Sequence, residues 1–221
     1  MGFPLECDPI DDLLGGGFEP RCITLLFGEA GSGKTNFCLQ LARNVVRSGK
    51  RVVYIDTEGV SMERLGQMCG EDLELVAKNI LFSEPYSMEE QEKLIDQAIK
   101  IAEASSEVGL IVVDSFTMHY RLTLRDELRE DRYALSRQIA KLLRVSRQVG
   151  IPIVVTSQVY TDIETGEYLP LGGHTLLHSA KAILRLEKVG ASTRAATLMK
   201  HRAREEGKRV KFRITGDGVE P

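Results

Sequence analysis

Short apolar runs alternate along this chain with longer stretches in which apolar residues recur every three or four positions. The runs at 23–27, 51–55, 110–113 and 151–156 read as buried strands, with a weaker one at 80–82. Pro152 is tolerable near the start of its run. Between the runs, Phe37, Cys38, Leu41, Ala42, Val45 and Val46 recur at helical spacing until Ser48-Gly49 ends the pattern. A second helix is predicted after Ser87, whose hydroxyl can cap it while Glu90 completes a capping box; Leu94, Ala98, Ile101 and Ala102 supply its buried face. A third covers 131–149, with Leu135, Ile139, Leu142, Val145 and Val149 facing inward. After Gly173 the pattern changes to short successive strands at 182–186, 195–200 and 209–214. The expected fold class is α/β, with a mostly parallel central sheet, helices on both faces and a C-terminal antiparallel extension. No linker, repeat or low-complexity segment divides it, so 1–221 is expected to be one domain.

The turn between the first strand and the first helix carries the chemistry. Gly28-Glu29-Ala30-Gly31-Ser32-Gly33-Lys34-Thr35 fits the phosphate-loop pattern G-x-x-x-x-G-K-[ST] at every required position. Glycines let such a loop bend so that successive backbone N–H groups point inward at phosphate oxygens. Lys34 is placed for the β- and γ-phosphates, and the Thr35 hydroxyl for Mg²⁺. A helix starting near Thr35 adds its positive end to the same anion. The alternative, a glycine-rich turn that binds nothing, does not require Lys-Thr at its end. ATP and Mg are the expected cofactors.

Composition narrows the setting. The 221 residues are 43 % hydrophobic and 28 % charged, as in soluble globular proteins. No apolar stretch is long enough to span a membrane, and Met1-Gly2-Phe3-Pro4-Leu5-Glu6 has neither signal-peptide nor myristoylation character. A cytoplasmic location is expected. Cys7, Cys22, Cys38 and Cys69 show no C-x-x-C spacing, and Cys22 and Cys38 sit in apolar patterns, as buried free thiols do. A net charge of −3 gives no overall attraction to nucleic acid, so any such binding must come from local patches.

Three further residues complete a nucleotide site. Asp114 follows four aliphatic residues, which puts its carboxylate at the carboxyl end of a buried strand, the usual second magnesium position. Glu58, in Asp56-Thr57-Glu58-Gly59, closes another strand in the same way and is placed to polarise a water as general base; the alternative is a solvated loop acid. Gln158 lies just past Thr156, where a neutral amide can hydrogen-bond a γ-phosphate and signal its presence to the following loop.

Together these residues resemble the RecA/RadA recombinase family. The resemblance is carried by Asp11-Asp12-Leu13-Leu14-Gly15-Gly16-Gly17-Phe18, the phosphate loop, Tyr54-Ile55-Asp56-Thr57-Glu58-Gly59, Leu110-Ile111-Val112-Val113-Asp114-Ser115, Val154-Val155-Thr156-Ser157-Gln158-Val159 and Leu171-Gly172-Gly173-His174. It implies a P-loop NTPase of RecA type, with Glu58 as catalytic acid and Gln158 as switch, and suggests that His174 links the Gln158 loop to the core. Three departures shape the expectation. The core starts within about ten residues of Met1, with no counterpart of the N-terminal helix-hairpin-helix domain or F-x-x-A linker of archaeal RadA. Filament assembly by that route is not expected. The segment 159–171, where a recombinase contacts single-stranded DNA, has three carboxylates and no Lys or Arg; Tyr160 and Tyr168 are its only stacking groups. Lys200-His201-Arg202-Ala203-Arg204 stands where RadA has an acid-and-proline cap.

The short core and this basic segment are most similar to the archaeal RadB subfamily. That implies DNA binding, weak ATPase activity, no strand exchange of its own, and regulation alongside the RadA recombinase and the Holliday-junction resolvase, with a homodimer as one expected assembly. Between 200 and 213 there are seven Lys or Arg residues against Glu205 and Glu206. Three readings stay open for them: a phosphate-tracking DNA surface including Lys200, His201, Arg202, Arg204, Lys208 and Arg209; Lys200 and Arg202 as fingers reaching a neighbouring subunit's γ-phosphate; or a solvated strand edge. Arg121 and Arg125, near Tyr120, mark a second, weaker DNA candidate because acids interleave them. The rival functional classes are a strand-exchange recombinase with DNA-stimulated turnover and a KaiC-like ring ATPase or kinase with no DNA role.

Overall fold

The structure is a computed structural model that describes residues 2–123, 130–162, 166 and 168–221. A nine-stranded sheet runs through the molecule in the order β11-β10-β9-β8-β1-β5-β4-β2-β3. Its parallel part comprises β1 (Ile23–Gly28), β2 (Arg51–Asp56), β3 (Ile80–Ser83), β4 (Val108–Asp114), β5 (Ile153–Ser157) and β8 (Ala182–Lys188). The antiparallel extension is β9 (Thr193–Lys200), β10 (Arg209–Ile214) and the short β11 (Val219–Glu220). Thus the 182–186 run, expected to open the extension, instead pairs parallel with β1, and the direction reverses one strand later. β6 (Val159–Thr161) and β7 (Tyr168–Pro170) form a separate hairpin.

Strands β1, β4 and β5 are buried at every position, which is why they read as unbroken apolar runs. One face of the sheet packs against α1 (Asp8–Leu14), α2 (Lys34–Arg47), α3 (Met62–Cys69) and α4 (Leu73–Asn79). The other packs against α5 (Met88–Ala104), α7 (Glu130–Val145) and α8 (Gly173–Ser179), with α6 (Met118–Thr123) following β4. All four cysteines are buried thiols, and no described helix is long and apolar enough to cross a membrane.

Helix α5 departs from its expected face. Gln91, Ile95, Ala98, Ile99 and Ala102 form its buried stripe, whereas Ile101 is 38 % exposed. At 100° per residue Ile101 falls just outside that stripe, beyond its Ala98 edge. Ser87 does cap the helix by accepting from the Glu90 N–H (3.1 Å), but the Glu90 carboxylate accepts from the Tyr86 N–H (2.8 Å), one residue before the cap. The third helix ends at Val145 in a wide turn over Ser146–Gly150. There the Ser146 hydroxyl donates to Ile151 O, at 2.7 Å.

α5 and α7 are joined at their solvent edge by Glu92, which accepts from Arg137 (2.6 Å) and Lys141 (3.0 Å). The Arg137 hydrogen bond, reinforced by Lys141, pulls the Glu92 carboxyl from 4.5 down to about 2. A depressed carboxyl stabilises the fold above its unfolded value and stops doing so as pH falls through the folded one. We therefore expect Glu92→Gln to lower the unfolding free energy by about 1 kcal/mol at pH 7, after allowance for solvent screening. The deficit should shrink as pH falls below 4.5. Urea unfolding at pH 7 and pH 3 tests this; an equal deficit at both would contradict the assignment.

Candidate functional site

The phosphate loop leaves β1 and enters α2 through glycines that nothing larger could replace. A methyl group on Gly28 would lie 2.1 Å from the Leu186 carbonyl oxygen, and Gly33, with φ of 108°, caps the helix against the Ile214 side chain. Ser32 is fully buried within the loop, and its hydroxyl has no hydrogen-bond partner. Lys34 is also buried, and its ammonium bends back to donate to the carbonyls of Gly28 (2.9 Å) and Glu29 (3.2 Å). Burial pushes the Lys34 pKa down, opposed chiefly by the charges of Glu58 and Asp114. A buried orphan hydroxyl and a lysine closed on its own loop are the features of a polar cradle suited to an anion.

Asp114 stands beside this loop at the end of β4. Its Oδ1 accepts from the Thr156 hydroxyl (2.5 Å) and its Oδ2 from the Tyr54 hydroxyl (2.9 Å). The Thr35 hydroxyl, nearby, also favours its charged form. Burial raises the Asp114 pKa, while these three donors lower it. Two strands therefore hold the carboxylate from either side, since β4 lies between β2 and β5.

Glu58 sits in a turn whose backbone is fixed by Asp56, which accepts from the N–H groups of Glu58 (3.1 Å), Gly59 (3.0 Å) and Val60. The turn is tied to the segment after Asp114 through Thr57. Its N–H donates to Asp114 O (2.8 Å), and its hydroxyl donates to Ser115 O (2.9 Å) while accepting from Ser115 N–H (2.8 Å). Gln158, one hundred positions further on, donates from Nε2 to Glu58 Oε1 at 2.8 Å. Its own N–H donates to the Thr117 hydroxyl (3.2 Å), and its carbonyl accepts from Leu171 N–H (2.9 Å). The three acidic and amide positions expected from the sequence thus converge on one edge of the sheet. Tyr54, Thr57, Thr117 and Thr156, which the sequence reading passed over, orient them. A tyrosine inside an apolar strand and a threonine ending the neighbouring one are the signal, because buried hydroxyls require partners.

The expected stacking pair divides. Tyr160 pairs across the hairpin with Leu169, and Thr161 with Tyr168, so alternation sends the two tyrosines to opposite faces. Tyr160 lines a cavity of about 650 Å³ with Tyr120, Arg132 and His174, and Tyr168 lines another of about 470 Å³ with His178, Met199 and Lys200.

The basic segment lies at the other end of the sheet. Lys200 is in register with Ile183, and Ile183 with Leu25, whereas the loop's Gly28 is in register with Leu186 and Ala196. Because β9 ends at Lys200, strand alternation does not carry on to Arg202, and the two side chains diverge. Lys200 Nζ donates to the Leu177 carbonyl near the end of α8 (2.8 Å), while Arg202 pairs with Glu19 (2.6 Å). His201 Nδ1 accepts from Ala203 N–H (3.1 Å), Arg204 lies against Gly15, and Lys208 and Arg209 are exposed in ion pairs with Glu205 and Glu187. Arg121 falls in α6, and Arg125 lies outside the described residues.

Comparison with known proteins agrees with this fold. The Rad51 family model matches residues 5–221. A protein of Methanococcoides burtonii called DNA repair and recombination protein RadB is 47 % identical over 97 % of this chain and 95 % of its own length. One of the same name from Archaeoglobus fulgidus is 41 % identical over 100 % and 99 %. A solved structure described as the RadB recombinase superposes with a TM-score of 0.84 at 38 % identity, covering 99 % of this chain and 98 % of its own. The chain belongs to the Rad51 family, and its likeness within that family is to the archaeal RadB proteins.

Proposed function

We propose that this protein binds Mg-ATP and DNA and acts in homologous recombination and repair as a RadB-like regulator, with slow hydrolysis and little strand exchange. The relatives' names support the recombination and repair role. The observation that carries the nucleotide-dependent part is the Gln158–Glu58 contact, because it joins the catalytic acid to a hairpin rooted in the same residue. By the resemblance, the partners are DNA, the RadA recombinase and the Holliday-junction resolvase.

The residues present fit the cofactor. The empty hydrogen-bonding capacity of the Ser32 hydroxyl and the buried Lys34 ammonium suit phosphate oxygens, and Thr35 with Asp114 suits magnesium. When bound, magnesium supplies charge neutralisation across the β- and γ-phosphates. Lys34 binds the phosphates, exchanging its carbonyl partners for theirs. Glu58 accepts a proton from a water placed beside the terminal phosphate. Gln158 donates to either Glu58 or that phosphate, so its amide reports nucleotide state to the hairpin through the Leu171 bond. DNA contact falls to the exposed cations Arg202, Arg204, Lys208 and Arg209. A second reading, fingers in trans, is favoured by the register, which sets Lys200 three positions along the strands from the start of its own phosphate loop.

Two measurements test the proposal. Titration with ATP in Mg²⁺ is expected to show Lys34→Ala weakened at least tenfold, about the worth of a charge-assisted phosphate contact; wild-type affinity in that variant would overturn the site. In parallel, ATP turnover with and without single-stranded DNA at one stated salt should be slow and indifferent to DNA in protein that binds both. Strong stimulation would instead favour a strand-exchange recombinase. The hydroxyl donors on Asp114 add a further expectation. Tyr54→Phe should reduce the affinity gained on adding Mg²⁺ about tenfold, while leaving Mg-free nucleotide binding unchanged. Equal loss with and without Mg²⁺ would mean that Tyr54 serves only packing.

A further inference from the structure

Two cations outside every motif described above stand against the phosphate loop. β8 and β9 form a hairpin in which Lys188 and Arg194 are directly paired across the strands. Alternation puts both on the sheet face that carries Leu186 and Ala196, the face turned toward the loop. The Arg194 guanidinium donates from Nε to the carbonyl of Gly31 at 3.0 Å. From Nη1 it donates to the carbonyls of Gly190 (3.0 Å), Ala191 (3.2 Å) and Thr193 (3.0 Å). One side chain thereby ties the hairpin turn to the middle of the loop. Lys188 is exposed, and a methyl group on Gly31 would meet its Nζ and Cε at 2.9 Å. Its ammonium has no hydrogen-bond or ion-pair partner among the described residues.

We propose that Lys188 and Arg194 form a second cationic wall of the nucleotide site. Lys188 is a direct phosphate ligand, and Arg194 is the positioning residue that holds Gly31 and the hairpin in register with it. The assignment rests on reading the loop as a nucleotide site, and deepens it by naming which phosphates this wall serves. An unpartnered ammonium is stable in water, but here it lies, like the Arg194 guanidinium, against Gly31 of the loop that also carries the buried Lys34, with Glu29 as the loop's only acid. A bound polyanion relieves that repulsion and gives the ammonium a partner. Gly31 lies in the part of the loop whose backbone N–H groups cradle the α- and β-phosphates, whereas Lys34 reaches the β- and γ-phosphates. Lys188 therefore serves phosphates that ATP and ADP share. Glycine at position 31, with φ of 72°, leaves the ammonium its place; a methyl group there would displace the far end of the lysine.

The test is equilibrium binding of ATP and of ADP, each in Mg²⁺, by wild type and by Lys188→Ala, Arg194→Ala and Arg194→Lys. Lys188→Ala is expected to weaken both nucleotides equally, by about five- to tenfold. The difference from wild type should close at high salt, because the contact is ionic and exposed. Its thermal unfolding without nucleotide should not change, since Lys188 holds no protein group. Arg194→Ala should weaken both nucleotides, and Arg194→Lys should not restore them, because an ammonium cannot span four carbonyls as the guanidinium does. Wild-type affinity for both nucleotides in Lys188→Ala, or a loss confined to ATP, would overturn the assignment. A wild-type protein that binds neither nucleotide would overturn the nucleotide reading itself, which is a distinguishable failure.

Discussion

A carboxylate buried inside an apolar sheet has to be satisfied by its neighbours, and Asp114 imposes that requirement on the strands around it. An ionised group taken out of water costs several kcal/mol unless donors replace the lost hydration. Here the donors are hydroxyls on the flanking strands, Tyr54 from β2 and Thr156 from β5. Meeting the requirement fixes the carboxyl ends of three parallel strands relative to one another. Each end then carries one of the residues expected at the site: Glu58 after β2, Asp114 on β4, Gln158 after β5. The phosphate loop after β1 completes the edge, because β1 pairs with β5.

The same edge is continuous with the rest of the molecule. Thr57 stitches the Glu58 turn to Ser115, Thr117 holds the Gln158 backbone, and the Phe116 carbonyl accepts from Gln91 of α5 (3.1 Å). Gln91 in turn donates to Gln138 of α7 at 2.8 Å, and both amides are wholly buried. The Gln158 backbone is therefore bonded in two directions, to the hairpin through Leu171 and to the segment that follows Asp114 through Thr117. The Gln91 Oε1 in this buried pair has no hydrogen-bond partner, so the network is only partly satisfied.

Much of this was legible in the residues themselves. The phosphate loop, the buried strands and the acid at the end of β4 are local patterns, and local patterns survive folding. Ile101 shows where the reading fails: periodicity gives the width of an apolar stripe but leaves its phase open when Ile95, Ile99 and Ile101 compete. Lys200 and Arg202, two apart, would share a side on an unbroken strand, but β9 stops between them. Tyr160 and Tyr168 look like one stacking platform until the hairpin register places them on opposite faces. Lys188 and Arg194 come together only through the β8–β9 pairing and gain meaning only beside Gly31, so no spacing rule could have found them.

The central claim is that nucleotide state, sensed where Gln158 meets Glu58, is passed to the β6–β7 hairpin. Amide hydrogen exchange in Mg-ATP and in Mg-ADP measures this most directly. The account predicts that both nucleotides protect the phosphate loop, whereas the exchange of Gln158 and Leu171 differs between them. Exchange at Gln158 and Leu171 that is identical in ATP and ADP, with protection confined to the phosphate loop, would contradict it.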